Sequence, residues 1–513
     1  MFTINTIRLN GVEAVPVTCE CEVTNGTGVH VVGLVDSEVK DKLEQSIAAL
    51  QKKGFVLPGK KIIINLAPGN LHVETSGAGL AVTLALAAAC DKGEGLREKL
   101  DKWLVLGDVN PDGELCFVPG CVQGVDYAIN SDREFKGVII PETNAPEVAE
   151  LFANSIKVYP AGDIGQVIDI IEERAFPTTA WERFLDEPVE PRHEISVWDS
   201  FVAPGVKRAL EIAVAGGHNI ILVGNDEDSK RRAAKAALEI MPRMSLGEEV
   251  EVAKAFSAAT IGRERALARH IHRRPFQEVH HDATLAQVFG TPYCGGNLPG
   301  EFALANKGVL YMRNPELASE SINEAMDVVL SLKSYMLSRY SSQVSFSVNC
   351  MVAASVNACL CGKTGTCECE CTHQEKAAYR RRTTGTSAYA HSDIQTWVND
   401  IMLTDETQRE QLRAAGEDVE AVAACVEHAR QAQIERQGRL NGEMSSRETY
   451  ERFTLDKICQ ELCDALVQRL SLRASSVASI IRVARTIADL AGHDDIRRED
   501  LCEASSYRFM DRM

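Results

Sequence analysis

Five cysteines crowd into thirteen residues: Cys359-Leu360-Cys361, then Cys367-Glu368-Cys369-Glu370-Cys371, with a Gly/Lys/Thr turn between them and His373 just after. Four thiolates on short loops suit tetrahedral zinc, because soft sulfur ligands select that ion in a reducing compartment. Four of Cys359, Cys361, Cys367, Cys369 and Cys371 would make a structural zinc set, and His373 could replace one of them. Free buried thiols or redox-active thiols are the alternatives. Cys19 and Cys21, two residues apart, face one side of a strand and read as packing.

A second stretch, Gly224-Asn225-Asp226-Glu227-Asp228-Ser229-Lys230-Arg231, follows an apolar run, as a phosphate-cradling loop does. Such a loop needs glycines so that backbone N–H groups approach the phosphates, then a Lys for phosphate and a Ser or Thr for Mg²⁺. Gly224 and Lys230 are in place. The middle glycines are missing, Arg231 stands at the Mg²⁺ hydroxyl position, and Asp226, Glu227 and Asp228 put negative charge where a polyphosphate would lie. Like charges ~4 Å apart cost about 1 kcal/mol even when well screened. The same three residues also read as the acidic cap of a helix.

The elements that must position these residues follow from periodicity. Residues 207–215 read as a helix, 219–223 as a buried strand and 229–241 as a helix. A strand over 308–312, a helix over 319–332 and a strand over 344–356 follow. Strands alternating with helices imply a parallel sheet, hence an α/β core over 195–404 with a Cys-rich insertion at 359–373. Residues 405–513 read as wholly helical, with an amphipathic run at 477–490. Residues 1–165 mix strands (29–35, 60–68, 103–109, 136–142) with helices (37–53, 80–90), an α+β pattern. Residues 166–194 read as a linker, with Pro177, Pro188 and Pro191 among acidic residues.

Composition narrows the function classes. At 513 residues, 45% hydrophobic and 25% charged, the chain has the make-up of an ordinary globular protein, and disorder is excluded as its main state. Its 55 Lys and Arg against 73 Asp and Glu give a net charge of −18, which disfavours bulk attraction to nucleic acid and leaves only local basic patches. The longest apolar stretch, 80–90, is too short to span a bilayer, so no membrane partner is expected. The first residues lack the basic-then-apolar pattern of an export signal, and a cytoplasmic location with reduced cysteines is expected.

Several separated segments together resemble the ComM/YifB branch of magnesium-chelatase-like AAA+ ATPases. They are KRALEIAVAGGHNIILVG (207–224), RRPFQEVHH (273–281), LPGEFALANKGVL (298–310), NACLCG (357–362), ARQAQIERQGRLNGEMSSRE (429–448) and RVARTIADLAG (482–492). Nearer the start, VVGLVDSEVKDKLEQSIAALQKKGF and KKIIINLAPGNL resemble the Lon-protease-like domain that precedes the ATPase in this family. The resemblance runs in order over almost the whole chain. It implies a Lon-like α+β domain (1–165), an AAA+ P-loop-type parallel-sheet core (195–404) and a C-terminal helical lid (405–513). It also implies a hexameric motor that uses ATP and Mg²⁺ and acts on DNA, associated with branch migration during recombination.

Carried over residue by residue, the resemblance predicts losses. The adjacent Asp and Glu that hold Mg²⁺ and orient the attacking water fall at Arg313 and Asn314, which can do neither. Glu316, after Pro315, reads as surface or helix start. The arginine-finger position is Ala390, although Arg382 and Gly385 persist; the lid arginine falls at Ser475, with Arg473 two residues away. Asn357, at the polar sensor position, is retained. In the Lon-like part the nucleophile position is Gly77, beside Ser76, and the Lys position is Gln123, so no dyad and no peptidase is expected. Many family members carry cysteine pairs matching Cys359/Cys361 and Cys369/Cys371. His280 and His281 match a family pair of histidines and lack companions at metal spacing.

These losses concern one reaction, while the core-forming motifs stay readable. The expectation is an AAA+ scaffold without hydrolysis and without catalytic residues, in which Gly224, Lys230 and Asn357 are the remnant of a nucleotide site. Expected partners are a homo- or hetero-hexameric ring of AAA+ subunits and DNA, touched through Arg231-Arg232, Arg273-Arg274 or Arg380-Arg381-Arg382; such runs also read as solvated faces. Two other readings stand beside it. One is a regulatory or structural partner of an active AAA+ paralogue, as magnesium chelatase pairs an active subunit with a degenerate one. The other is an ATPase with a rearranged site.

Overall fold

A computed structural model of the chain describes residues 1–32, 37–68, 77–149, 151–152, 155–184, 197–198, 202–259, 273–293, 296–339, 342–364, 368–399, 418–470 and 472–512. The expected nucleophile neighbour Ser76 and the alternative ligand Cys367 lie outside these residues.

Short, continuously apolar runs build the central sheet. Ile220–Val223, Val309–Arg313 and Met351–Val356 are buried along nearly their whole length, as strands covered on both faces must be. The sheet has five strands in the order Phe276–Val279, Val309–Arg313, Met351–Val356, Ile220–Val223, Ile394–Trp397, and every pair is parallel. The loop 224–226, which leads into the helix carrying Lys230, leaves the carboxyl end of Ile220–Val223, between the strands Met351–Val356 and Ile394–Trp397. Open α/β sheets bind ligands at such a point.

The expected single strand over 344–356 is two elements. Ser342–Ser347 pairs antiparallel with Ser334–Arg339 in a separate hairpin, and the chain enters the central sheet only at Met351. Its apolar alternation reads through the break because both pieces are half or fully buried. The helix expected from 229 begins two residues earlier, as Glu227–Ile240, since Asp226 supplies its cap.

Residues 2–172 form a second unit around a seven-stranded mixed sheet, ordered Gly28–Val32, Lys61–Ala67, Glu13–Thr24, Phe2–Asn10, Trp103–Val105, Gly137–Pro141, Val158–Ala161. Helix Gly79–Ala89 is buried throughout against it, and Cys19 and Cys21 pack in that core, as their spacing predicts. The expected linker start at 166 is corrected. Helix Ile164–Glu172 buries Val167, Ile168, Ile170 and Ile171 in the same core, and Ala180–Phe184 is a further short helix.

Beyond residue 418 the described chain is helical. Helix Ala474–Leu490, expected to be amphipathic, is enclosed on all sides from Ala478 to Asp489. Its charged residues tolerate this because they are paired. Arg482 Nη2 donates to Asp393 Oδ1 at 2.6 Å, and Arg485 Nη2 to Asp489 Oδ1 at 2.8 Å. Asp393 also faces His218 Nδ1 at 2.8 Å, and His218 Nε2 meets Thr486 Oγ1 at 2.8 Å. One buried polar network thus ties the sheet to the helical region.

Candidate nucleotide site and metal centre

Helix Glu227–Ile240 starts where a chain of small and acidic residues can satisfy its orphan N–H groups. Asp226 accepts from the Ser229 N–H at 2.7 Å. Burial pushes its carboxyl up, but the Ser229 donors and Arg232 outweigh that and hold it below the usual carboxylate range. Asp228 is exposed.

Lys230 is fully buried. Its Nζ donates to the Gly224 carbonyl at 3.1 Å, the Val356 carbonyl at 3.3 Å and Asn357 Oδ1 at 3.0 Å, and lies 3.1 Å from Glu227 Oε2. An ammonium has three donors, so oxygens of the chain itself engage all of them. Gly224, Lys230 and Asn357 are therefore brought together.

Glu227 turns inward from the helix start. It accepts from Tyr311 OH at 2.7 Å and from Ser355 Oγ at 2.9 Å, and its Oε1 lies 3.1 Å from Arg313 Nε. Burial raises its carboxyl, yet Lys230, Tyr311 and Ser355 together bring it below its ordinary value. Arg313 ends strand Val309–Arg313, one strand beyond Met351–Val356, and Asn314 follows it with a left-handed φ of 46°. Of the two expected readings of Glu316, helix start holds, since it lies in the 3₁₀ turn Pro315–Leu317, and surface does not. It is 3% exposed, accepts from Tyr379 OH, and burial pushes its carboxyl up. Arg382, Ala390, Arg473 and Ser475 are exposed, and none contacts the loop among the described residues.

The four predicted cysteines converge. Cys359, Cys361, Cys369 and Cys371 place their sulfurs within 4.8 Å of one another. Cys359 lies 3.2 Å from Cys361 and 3.9 Å from Cys369, and Cys361 lies 3.7 Å from Cys369. Zinc with Zn–S bonds of about 2.3 Å separates tetrahedral sulfurs by about 3.8 Å, so this set fits the ion. These are free thiols. His373 is not in the cluster; it opens helix His373–Thr384, which Thr372 caps. The knuckle leans on the loop, since Asn225 Nδ2 donates to the Thr364 carbonyl at 3.1 Å.

The expected basic surface is reduced. Arg231 pairs with Glu278, Arg232 binds Ser229 Oγ, and Arg274 ties down the carbonyls of Pro242 and Lys307 at 2.7 Å each. Arg381 and Arg382 stay exposed. His280 bonds Asp282 at 2.6 Å and stacks on His281. In the N-terminal unit, Gln123 is buried and donates to the Lys254 carbonyl at 2.7 Å, across to helix Leu246–Ala259. The position expected to lack a catalytic base is thus a contact between units.

Sequence reasoning missed the inward role of Glu227, the Glu316–Tyr379 bond and the Asp393–Arg482 pair. The residues were visible, but their partners lie 84, 63 and 89 positions away, beyond any local spacing rule.

Comparisons with known proteins agree in order along the chain. Residues 202–405 match the family described as magnesium chelatase, subunit ChlI; residues 416–508 match its C-terminal part, and residues 19–144 match subunit ChlI of Mg-chelatase. The uncharacterized protein YifB of Escherichia coli is 29% identical over 99% of this chain and 97% of its own length. Competence protein ComM of Haemophilus influenzae is 27% identical over 98% of this chain and 96% of its own.

Proposed function

We propose that this chain, which belongs to the magnesium-chelatase-like AAA+ family of YifB and ComM, is a hydrolysis-deficient member that serves as a ring or DNA-binding scaffold. The observation that carries this reading is the engagement of Lys230. Its three donors meet Gly224, Val356 and Asn357, and its charge meets Glu227. Glu227 in turn faces Arg313, where the family's Mg²⁺-holding carboxylate is expected. One internal carboxylate, set between two cations, supplies the negative charge that a nucleotide phosphate brings to an active site. A phosphate would have to displace it and then meet Asp226 and Asp228 besides.

The chemistry is lost at the same place. Arg313 repels a cation, and Asn314 cannot take a proton from water. Glu316 is no substitute, because its carboxyl is buried, raised and held by Tyr379. The helical lid and its polar tie to the sheet remain, which suits assembly with like AAA+ subunits, either copies of this chain or an active paralogue. A role in DNA processing rests on the family resemblance and on the competence name of the relative ComM; of the expected basic clusters, Arg273, Arg381 and Arg382 are exposed.

The four cysteines would hold zinc. Bound there, zinc supplies cross-linking rather than Lewis-acid chemistry, because four protein thiolates leave no open position. Steady-state ATP turnover with Mg²⁺ tests the reading. The expected rate is indistinguishable from that of Lys230→Ala, with and without DNA. Turnover that the substitution abolishes would instead establish a rearranged active site.

A further inference from the structure

At the amino-terminal ends of the central strands, opposite the loop that follows Val223, lies a cavity of about 70 Å³. Gly308 and Met351, where two strands begin, form its floor, and Arg430 and Leu440 of the helical region form its roof. Four cations line it, Arg274, Lys307, Lys333 and Arg430, against two carboxylates, Glu248 and Glu443. Two of the cations are matched: Arg274 lies 3.3 Å from Glu248, and Lys307 lies 3.3 Å from Glu251. The other two are not. Among the described residues, no carboxylate lies within ion-pair distance of Lys333 or Arg430. Glu443 turns back to accept from the Leu440 N–H at 3.1 Å.

Among the described residues Arg430 makes one hydrogen bond, from Nη1 to the Val214 carbonyl at 2.6 Å. Five guanidinium N–H groups are present, so donors remain for a ligand. Burial first, and the nearby Arg274 after it, lower its affinity for a proton to a pKa of about 10, against the smaller opposing pull of Glu443 and Glu248.

We infer that this cavity binds a tetrahedral oxyanion of phosphate size, held by Arg430 and Lys333 between the sheet and the helical region. The volume sets the class of ligand. A water needs about 10–15 Å³ by the same measure, so a phosphate group with a few waters fits and a whole nucleotide does not. Because the two cations come from different parts of the chain, the anion would strengthen their junction.

The test is isothermal calorimetry on the full chain, with inorganic phosphate and glycerol 3-phosphate as separate titrants at constant ionic strength, and sodium chloride as control. Phosphate binding that Lys333→Gln and Arg430→Gln each weaken by about tenfold or more, and that Lys230→Ala leaves unchanged, is expected. Glycerol phosphate binding at the same site would identify a phosphate monoester as the ligand; its failure beside phosphate would identify the free ion. Heat no greater than with chloride overturns the inference. Binding lost in Lys230→Ala but kept in Lys333→Gln also overturns it, and moves the anion to the phosphate loop. Arg430 also caps helix Pro204–Gly216 through Val214, so Lys333→Gln, which removes no side-chain hydrogen bond or ion pair among the described residues, keeps the test valid if the arginine variant fails to fold.

Discussion

Glu227 is the side chain on which the closed loop depends. Removing it leaves Lys230 buried without its counter-charge and Arg313 without its ion pair, and takes acceptors from Tyr311 and Ser355. Glu227→Ala should therefore destabilise the chain by about 2–3 kcal/mol in urea unfolding, a range set by hydrogen bonds to charged groups. A loss below about 0.5 kcal/mol would mean that the carboxylate is a surface cap and nothing more. The metal centre makes a parallel demand. Cys361→Ser should lower zinc bound per chain in elemental analysis and loosen the segment that leans on Asn225; unchanged stoichiometry would count against Cys361 as a ligand. How much of this was legible varies by residue. The cysteine cluster could be read from its spacing, while its four members and the missing Mg²⁺ carboxylate at Arg313 came from the family resemblance. Glu227 read only as charge in the wrong place, because Tyr311 and Ser355 reach it from strands that fold alongside. The surface reading of Glu316 failed because nothing local to Pro315 announces Tyr379, which lies 63 positions on.

At the scale of elements, two contacts between parts of the chain carry distinct predictions. Asp393 accepts from Arg482 and faces His218, all three buried, and these neighbours hold its carboxyl far below the usual range against the upward push of burial. Asp393→Ala leaves a buried guanidinium uncompensated and should cost about 3–5 kcal/mol in chemical denaturation. The enclosed helix Ala474–Leu490 should lose protection from hydrogen exchange first. Between the N-terminal unit and helix Leu246–Ala259, Glu147 is buried beside Asn144 and Ser257, and burial pushes its carboxyl from 4.5 to about 7. The folded chain then holds a proton that the unfolded chain releases between pH 4.5 and 7, so this group makes stability fall as pH rises through that window, by roughly 3 kcal/mol at most. Glu147→Gln should flatten that fall; an unchanged slope would place its origin elsewhere. Element boundaries were less legible than element types. The 344–356 run merged a hairpin strand with a sheet strand, because period-2 alternation and continuous burial look alike over so few residues.

For the whole molecule, the order of parts was legible because apolar runs and helical periodicity survive wherever a core must be filled. The central sheet, its parallel pairing and the helical region after residue 418 follow from that. The linker was overextended, since helix Ile164–Glu172 belongs to the first core. Among the described residues no helix is long and apolar enough to cross a membrane. What remains is an AAA+ framework in which the loop proposed as a remnant nucleotide site is filled by the chain's own side chains. Calorimetric titration of Mg²⁺-ATP into the purified chain, beside Lys230→Ala, tests that claim most directly. The account predicts no heat of binding at the phosphate loop in either protein. Micromolar binding that Lys230→Ala abolishes would contradict it, because ATP would then have displaced Glu227 from Lys230, and the chain would regain its candidacy as a motor.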